Sequence, residues 1–301
     1  MNFDYGNVLT RAFQITWKHK SFWLFMMAPM LIASVMFIAF IAPVFILGEN
    51  DEMMGLVLVG WVGVIILGTI ASFIVSTAGN TSLTLGILRA ERGEGSTSFM
   101  DLVRDGFQYF GRALGAMLII QLTIGAVFTV FFLLVAALTA VTMGIAAICL
   151  QPIMILITPL SFLVVAVMNG ALVAVVDENL GALDAVKHAL QVVRNHVWKF
   201  ILITLIVYIG TSFLSSIFVF PAMLPAMAAP IMMESGMDMS GRSAILIFSL
   251  FACLFFPLMS LLAGITGAFM TSALQVSYLR LSRPAGGEVV FASEEPNNAT
   301  S

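Results

Sequence analysis

Charged side chains are scarce in this sequence: Lys, Arg, Asp and Glu make up 10% of 301 residues, while 60% are hydrophobic. A soluble domain keeps roughly 25% of its residues charged to wet its surface, so a water-soluble fold is excluded. Cysteine is nearly absent, and Cys149 and Cys253 both lie inside apolar runs. They read as small packing residues rather than as a disulfide or metal pair. Only three histidines occur, His19, His188 and His196, and no nearby carboxylate or cysteine completes a compact metal site around them. A Gly-rich phosphate loop, a nucleophile elbow and a zinc-protease helix motif are all missing. With a formal net charge of -3 there is no basic footprint for nucleic acid. The expectation is a protein that is not an enzyme and has no cofactor and no metal.

Long apolar runs are what the chain has instead. Between charged residues lie five stretches: Ser21 to Gly48, Met53 to Leu88, Ala113 to Val176, Phe200 to Met233 and Ser243 to Leu279. Each exceeds the roughly 20 residues that a helix needs to cross a bilayer. The third is about three times that length and must double back, with Gly144 to Pro152 as the expected turn. The first is too long for the apolar core of a cleavable signal and stays as an anchor. The fold class expected is therefore an all-α integral membrane protein with six transmembrane helices, at about 21–46, 55–88, 113–140, 152–176, 200–220 and 243–279. Pro221, Pro225 and Pro230 are expected to end the fifth span near Phe220, because each proline removes a backbone donor and clashes with the preceding turn. Pro257 is the expected kink of the sixth. Residues 284–301 have no periodic apolar face and are expected to form a disordered tail.

Orientation follows from the basic residues, which gather in cytoplasmic loops. Arg11, Lys18 and Lys20 precede the first span; Arg89, Arg92, Arg104 and Arg112 follow the second; Lys187, Arg194 and Lys199 follow the fourth; Arg280 and Arg283 follow the sixth. The opposite loops carry Glu49, Asp51, Glu52, Glu234 and Asp238, with Arg242 as the exception. Both termini are then cytosolic, in a cytoplasmic (inner) membrane.

A short pattern recurs before spans one, three and five. LTRAFQITWKHK begins at Leu9, VRDGFQYFGRAL at Val103 and VKHALQVVRNHVW at Val186. Aligned on Gln14, Gln108 and Gln191, each has a small residue two places earlier (Ala12, Gly106, Ala189) and a large apolar one directly before (Phe13, Phe107, Leu190). We expect three amphipathic lead-in helices and a pseudo-threefold repeat of one such helix plus two spans. In the third, Leu183, Val186, Leu190, Val193 and Val197 form the expected apolar stripe. Trp17, Trp23, Tyr109 and Trp198 belong at headgroup level. Asp177 and Glu178 are expected to begin the third lead-in helix, where negative charge suits the N-terminus.

The segment DENLGALDAVKHALQVVRNHVWKF from Asp177 to Phe200 follows one span and leads into another. Its acidic pair, glycine, amphipathic helix and closing aromatic-basic pair resemble the membrane domain attached to some glycerophosphoryl diester phosphodiesterases, and related bacterial multi-pass membrane proteins. RAFQITWKHKSFW, Arg11 to Trp23, is similar to the N-terminal segment of those proteins. The similarity covers most of residues 1 to 283. In that family the catalytic phosphodiesterase is a separate soluble barrel, for which these 301 residues leave no room. The resemblance therefore implies the membrane module alone and carries over no active-site residue.

No Asp, Glu, Lys, Arg or His falls inside a predicted span, which disfavours a proton-coupled carrier. Uncharged polar residues do occur there. Asn80 lies nine positions before Arg89, Asn169 eight before Asp177 and Thr271 nine before Arg280, with Gln275 one turn further on. If the repeat holds, Asn80, Asn169, Thr271 and Gln275 converge as a polar cluster, serving either as interhelical glue or as a pocket for a headgroup or neutral solute. Two functions stay open: a non-catalytic module that interacts with lipid or supports a membrane assembly, and a transporter or permease for a neutral or amphiphilic solute. The partners expected are membrane lipids and other membrane proteins, with no nucleic acid.

Overall fold

The computed structural model describes residues 3–47, 51–94, 98–142, 144–234 and 241–282; within 37–58, 145–148, 150, 153–156 and 221–254 only backbone is described. The expected tail at 284–301 and the side chain of Cys253 lie outside the described residues. Eight helices and no strand are found among the described residues: α1 Tyr5–Lys18, α2 Ser21–Leu47, α3 Asp51–Glu91, α4 Phe99–Val141, α5 Ile145–Asp177, α6 Ala182–Asn195, α7 Val197–Glu234 and α8 Gly241–Ser282. Five are long and apolar enough to cross a membrane, and six when α1 and α2, bent by 83° at His19, count as one broken span. Helices suit this composition because they satisfy their backbone polar groups internally, without water. The chain is an all-α integral membrane protein, and large apolar side chains such as Val59, Leu133, Phe213 and Leu261 stand exposed on its flanks.

The helices close as a ring with one arrangement used three times. α3, α5 and α8 touch one another at the centre, and each outer span wedges between two of them: α2 between α3 and α8, α4 between α3 and α5, α7 between α5 and α8. Each lead-in segment packs on the inner helix that precedes it around the ring. Thus α1 lies on α8, the start of α4 on α3, and α6 on α5. Burial repeats in the same register. Val8, Leu102 and Ala185, six places before the aligned glutamines, are buried, as are Ala12, Gly106 and Ala189. Phe13, Phe107 and Leu190, one place before them, are exposed.

Four expectations need correction. The second lead-in segment is not a separate helix but the first turns of the 43-residue α4, because nothing between Tyr109 and Gly115 interrupts it. By contrast, chain breaks at His19 and His196 separate α1 and α6 from their spans. The doubling-back of the long apolar run occurs at Thr142 to Gly144, where Gly144 takes φ +95°, a left-handed conformation suited to glycine. Pro152 lies inside α5. α7 continues to Glu234 through Pro221, Pro225 and Pro230, since membrane helices tolerate prolines where neighbours and local adjustment satisfy the freed groups. The predicted stripe on α6 divides: Val193 is buried with Ala185, Ala189 and Val192, whereas Leu183 and Leu190 face outward. Small residues let the α6 backbone settle close to α5, and the larger leucines are left on the outer face.

Backbone approach at glycine sets the spacing of these helices. A Cβ at Gly79 of α3 would stand 2.8 Å from the carbonyl oxygen of Phe25 on α2, and one at Gly264 of α8 would stand 2.8 Å from that of Trp23. Neither oxygen can yield without moving α2. Gly79→Ala and Gly264→Ala should therefore each cost about 1–3 kcal/mol, read as thermal unfolding in detergent. Gly60→Ala and Gly125→Ala, where an added Cβ meets nothing within 4 Å, should be neutral or slightly stabilising. Equal effects at all four positions would refute glycine-set spacing.

Candidate functional site

A polar junction occupies the contact of the three inner helices. Gln275 of α8 is fully buried, and its Nε2 donates to Thr84 Oγ1 of α3 at 2.7 Å and to Asn169 Oδ1 of α5 at 3.4 Å. The rest of the network returns to the helices that carry it. Thr84 Oγ1 donates to Asn80 O at 2.7 Å, and Asn169 Nδ2 donates to Val165 O at 2.9 Å. Only Gln275 Oε1 is left, buried and with no partner among the described residues.

The four candidate residues do not share one role here. Gln275 and Asn169 meet, as described. Asn80 turns its amide back onto its own helix, donating to Ser76 O at 2.8 Å, and Thr271 is buried without a cross-helix hydrogen bond among the described residues. The residue that sequence reasoning missed is Thr84. Its signal was spacing: Thr84 stands five places before Arg89, and Gln275 five before Arg280.

One end of the bundle carries nearly all the described charge, arranged as cross-links between helix ends. Arg11 of α1 pairs with Glu91 of α3 at 2.9 Å, and Arg89 of α3 with Asp105 of α4 at 2.6 Å. Arg92 pairs with Asp177 at the end of α5. Arg112 of α4 donates to Asn179 O at 2.9 Å, and Arg280 of α8 donates to Asn7 Oδ1 of α1 at 3.0 Å. Asp177 and Glu178 thus close α5 instead of opening α6, whose cap is Gly181. Carboxylates are unfavourable at a helix C-terminus, and Arg92 beside Asp177 offsets that cost. His188 of α6 adds a link between elements at the same end. Its Nδ1 lies 2.9 Å from the Tyr278 hydroxyl of α8 and 3.5 Å from Glu178 Oε2, a link legible only once α6 was placed across α5 and α8.

Among the described residues no group of three His, Cys, Asp or Glu side chains could hold a metal ion. The described side chain of Cys149 is a free, exposed thiol. A junction of two amides and one hydroxyl bonded to one another joins the three helices that carry them. Searches of protein families, curated proteins and solved structures found no match to this chain.

The junction has opposite expectations for two substitutions at one position. Gln275→Leu should change stability by less than about 1 kcal/mol, because interhelical hydrogen bonds in membranes average about 0.6 kcal/mol and the unpartnered Oε1 leaves with the amide. Gln275→Glu should cost about 2.5–3.5 kcal/mol by placing a carboxyl group at membrane depth. Reversible unfolding in mixed micelles measures both. A leucine variant that fails to fold would give the junction far more weight than this.

Proposed function

We propose that the chain is a non-catalytic, lipid-interacting module of the cytoplasmic membrane, with its charged end and both termini on the cytosolic side. One observation carries the reading: apart from Lys199, whose ammonium lies 5.9 Å from the centre of the Phe3 ring, its described basic residues divide into two sets. Arg11, Arg89, Arg92, Arg112 and Arg280 are used in bonds between helices. Lys18, Lys20, Arg104, Lys187 and Arg194 are exposed and have no ion pair among the described residues. Every member of the second set belongs to a lead-in segment or its end, beside an exposed apolar side chain. Trp17 adjoins Lys18, Phe107 follows Arg104 by three places, and Leu190 follows Lys187 by three. Exposed apolar groups among unpaired cations suit the boundary between hydrocarbon and anionic headgroups. A cation there contributes about 1 kcal/mol with an anionic leaflet.

The resemblance of the Asp177 to Phe200 segment to the membrane domain of glycerophosphoryl diester phosphodiesterases supports the same class, a membrane module that works beside other proteins. Transport of a neutral solute is the competing reading, and no observation on the described residues favours it over lipid contact.

Orientation is checked first. A cysteine at Ser96 should be shielded from impermeant thiol reagent in intact cells, and one at Asp51 should react; the reverse labelling overturns the proposed topology. Function is checked in polymer-excised membrane discs, where the chain should be enriched in anionic phospholipid several-fold over bulk membrane. Replacing Lys18, Lys20, Arg104, Lys187 and Arg194 with Gln should remove that enrichment. Solute flux in proteoliposomes, with no lipid enrichment around the wild-type chain, would select the transporter instead.

A further inference from the structure

The ring is not closed alike in all its intervals. Between α4 and α6 it is closed: Ala113, Ala116 and Met117 of α4 are buried with Ala185 of α6, and a Cβ at Gly115 would stand 3.1 Å from that of Ala182. The corresponding elements in the preceding interval are α2 and the start of α4. They meet where the rings of Phe25 and Phe99 stack with centroids 4.6 Å apart, and beside that contact lies a groove of about 220 Å³. Its floor is α3, with Ala78, Gly79 and Ser82; its walls include Leu24 and Ala28 of α2 and Phe107 of α4. The groove exists because small residues line the floor where large ones stand at the rim.

We propose that this groove seats one acyl chain of a membrane glycerophospholipid whose anionic headgroup is held at the rim by Lys20 and Arg104. The inference rests on the lipid-interacting reading and deepens it to one site and one ligand class. Depth argues for the chain. Ser82 and Ile74 precede Arg89 by seven and fifteen residues, which at 1.5 Å per residue is about 10 and 22 Å below the ion pair that Arg89 makes. At that level the surroundings of a membrane helix are hydrocarbon. The groove is open sideways, since Leu24, Ile74 and Phe107 are all more than 40% exposed. A lipid tail therefore reaches it from the bilayer without crossing the bundle. Its lining is apolar apart from Ser82, which suits a methylene chain and not a hydrated solute.

Charge argues for the headgroup. Arg104 directly follows Val103, a groove residue, on α4, and Lys20 stands one turn before Leu24 on the charged side of α2. Both are exposed and neither has an ion pair among the described residues. Arg89, by contrast, is engaged by Asp105. Two unpaired cations within about one helical turn of groove residues supply the charge that an anionic headgroup requires, and the apolar groove takes the tail. A free fatty acid would satisfy the groove but has no glycerophosphate to place between them.

Native mass spectrometry of the full chain, released from vesicles of equimolar phosphatidylglycerol and phosphatidylethanolamine, tests both halves. The wild-type chain should retain one phosphatidylglycerol that resists activation. Ala78→Leu, which fills the floor, should lose it with an unchanged melting temperature, and Gly125→Leu on an open face should keep it. Lys20→Gln with Arg104→Gln should keep a bound phospholipid but reduce the preference for phosphatidylglycerol roughly tenfold or more, each cation near an anionic headgroup contributing about fivefold. Retention of the same lipid by Ala78→Leu overturns the groove, and a bound fatty acid or an unchanged preference in the double variant overturns the headgroup seat. Either result leaves enrichment of anionic lipid in excised discs intact, whereas loss of that enrichment overturns the broader reading itself.

Discussion

The rest of this structure depends on how closely helix backbones can approach. Inside a bilayer the lipid tails are as apolar as leucine, so burial of apolar surface does not drive one helix against another as it does in water. What remains is packing, and packing improves as backbones come together. Gly79, Gly86 and Gly264 admit α2 to the cleft between α3 and α8, with the Phe22 ring occupying the space at Gly86. Gly106 brings the start of α4 onto Ser82, and Gly170 receives the Tyr278 ring and lies beside Ala189 of α6. In each case a small residue at a lead-in or inner helix lets a neighbour reach a distance that a larger one would forbid.

Close approach then decides which polar groups can meet. Gln275 reaches Thr84 and Asn169 because α3, α5 and α8 are in mutual contact. The ion pairs at the charged end are a different kind of interaction. Their side chains are partly exposed, and such pairs contribute about 0–1 kcal/mol each. Their greater effect is on arrangement: Arg11, Arg89 and Arg92 each bind a carboxylate of a different element, and an exchanged helix order would leave like charges facing one another.

Much of this was legible in the sequence, and the reasons for the rest are physical. The number of spans and the threefold recurrence could be read because hydrophobic runs and the spacing of Ala12, Gly106 and Ala189 are one-dimensional signals. Helix continuity was harder. Pro221, Pro225 and Pro230 would break a helix in water, but α7 continues through them, and the propensity rules that predicted a stop come from aqueous proteins. On α6 the sequence grouped Leu183 and Leu190 with Val193 in one apolar stripe, but Val193 packs inward while the two leucines are exposed; beside a membrane both sides of such a helix can be apolar, so hydrophobicity alone does not say which face packs. Of the polar cluster, Asn169 and Gln275 were found from depth alone, while Thr84 was passed over for Asn80. Both lie on one face of α3, one turn apart, and only the packing of α8 determines which of them Gln275 touches.

A ring of three similar units would be expected to treat all its intervals alike, and the departures from that rule locate where the units have separate tasks. At the centre the departure is Gln275, a fully buried amide that ties three helices and leaves no opening along the axis at its own level. At the periphery the departure is the direct packing of α4 on α6, whereas α2 and α4 stand apart beside Phe25 and Phe99 and leave a groove. Gln275 and Thr84 each stand five residues before an arginine of the charged end, about 8 Å along the helix, so the bonded junction fixes the inner helices near that end, while the groove beside α2 and α4 faces sideways. In the lipid-interacting role proposed for the chain, this division is what the chemistry requires: the centre is fixed by hydrogen bonds that water cannot contest, and the variable surface faces the bilayer, where lipids are found.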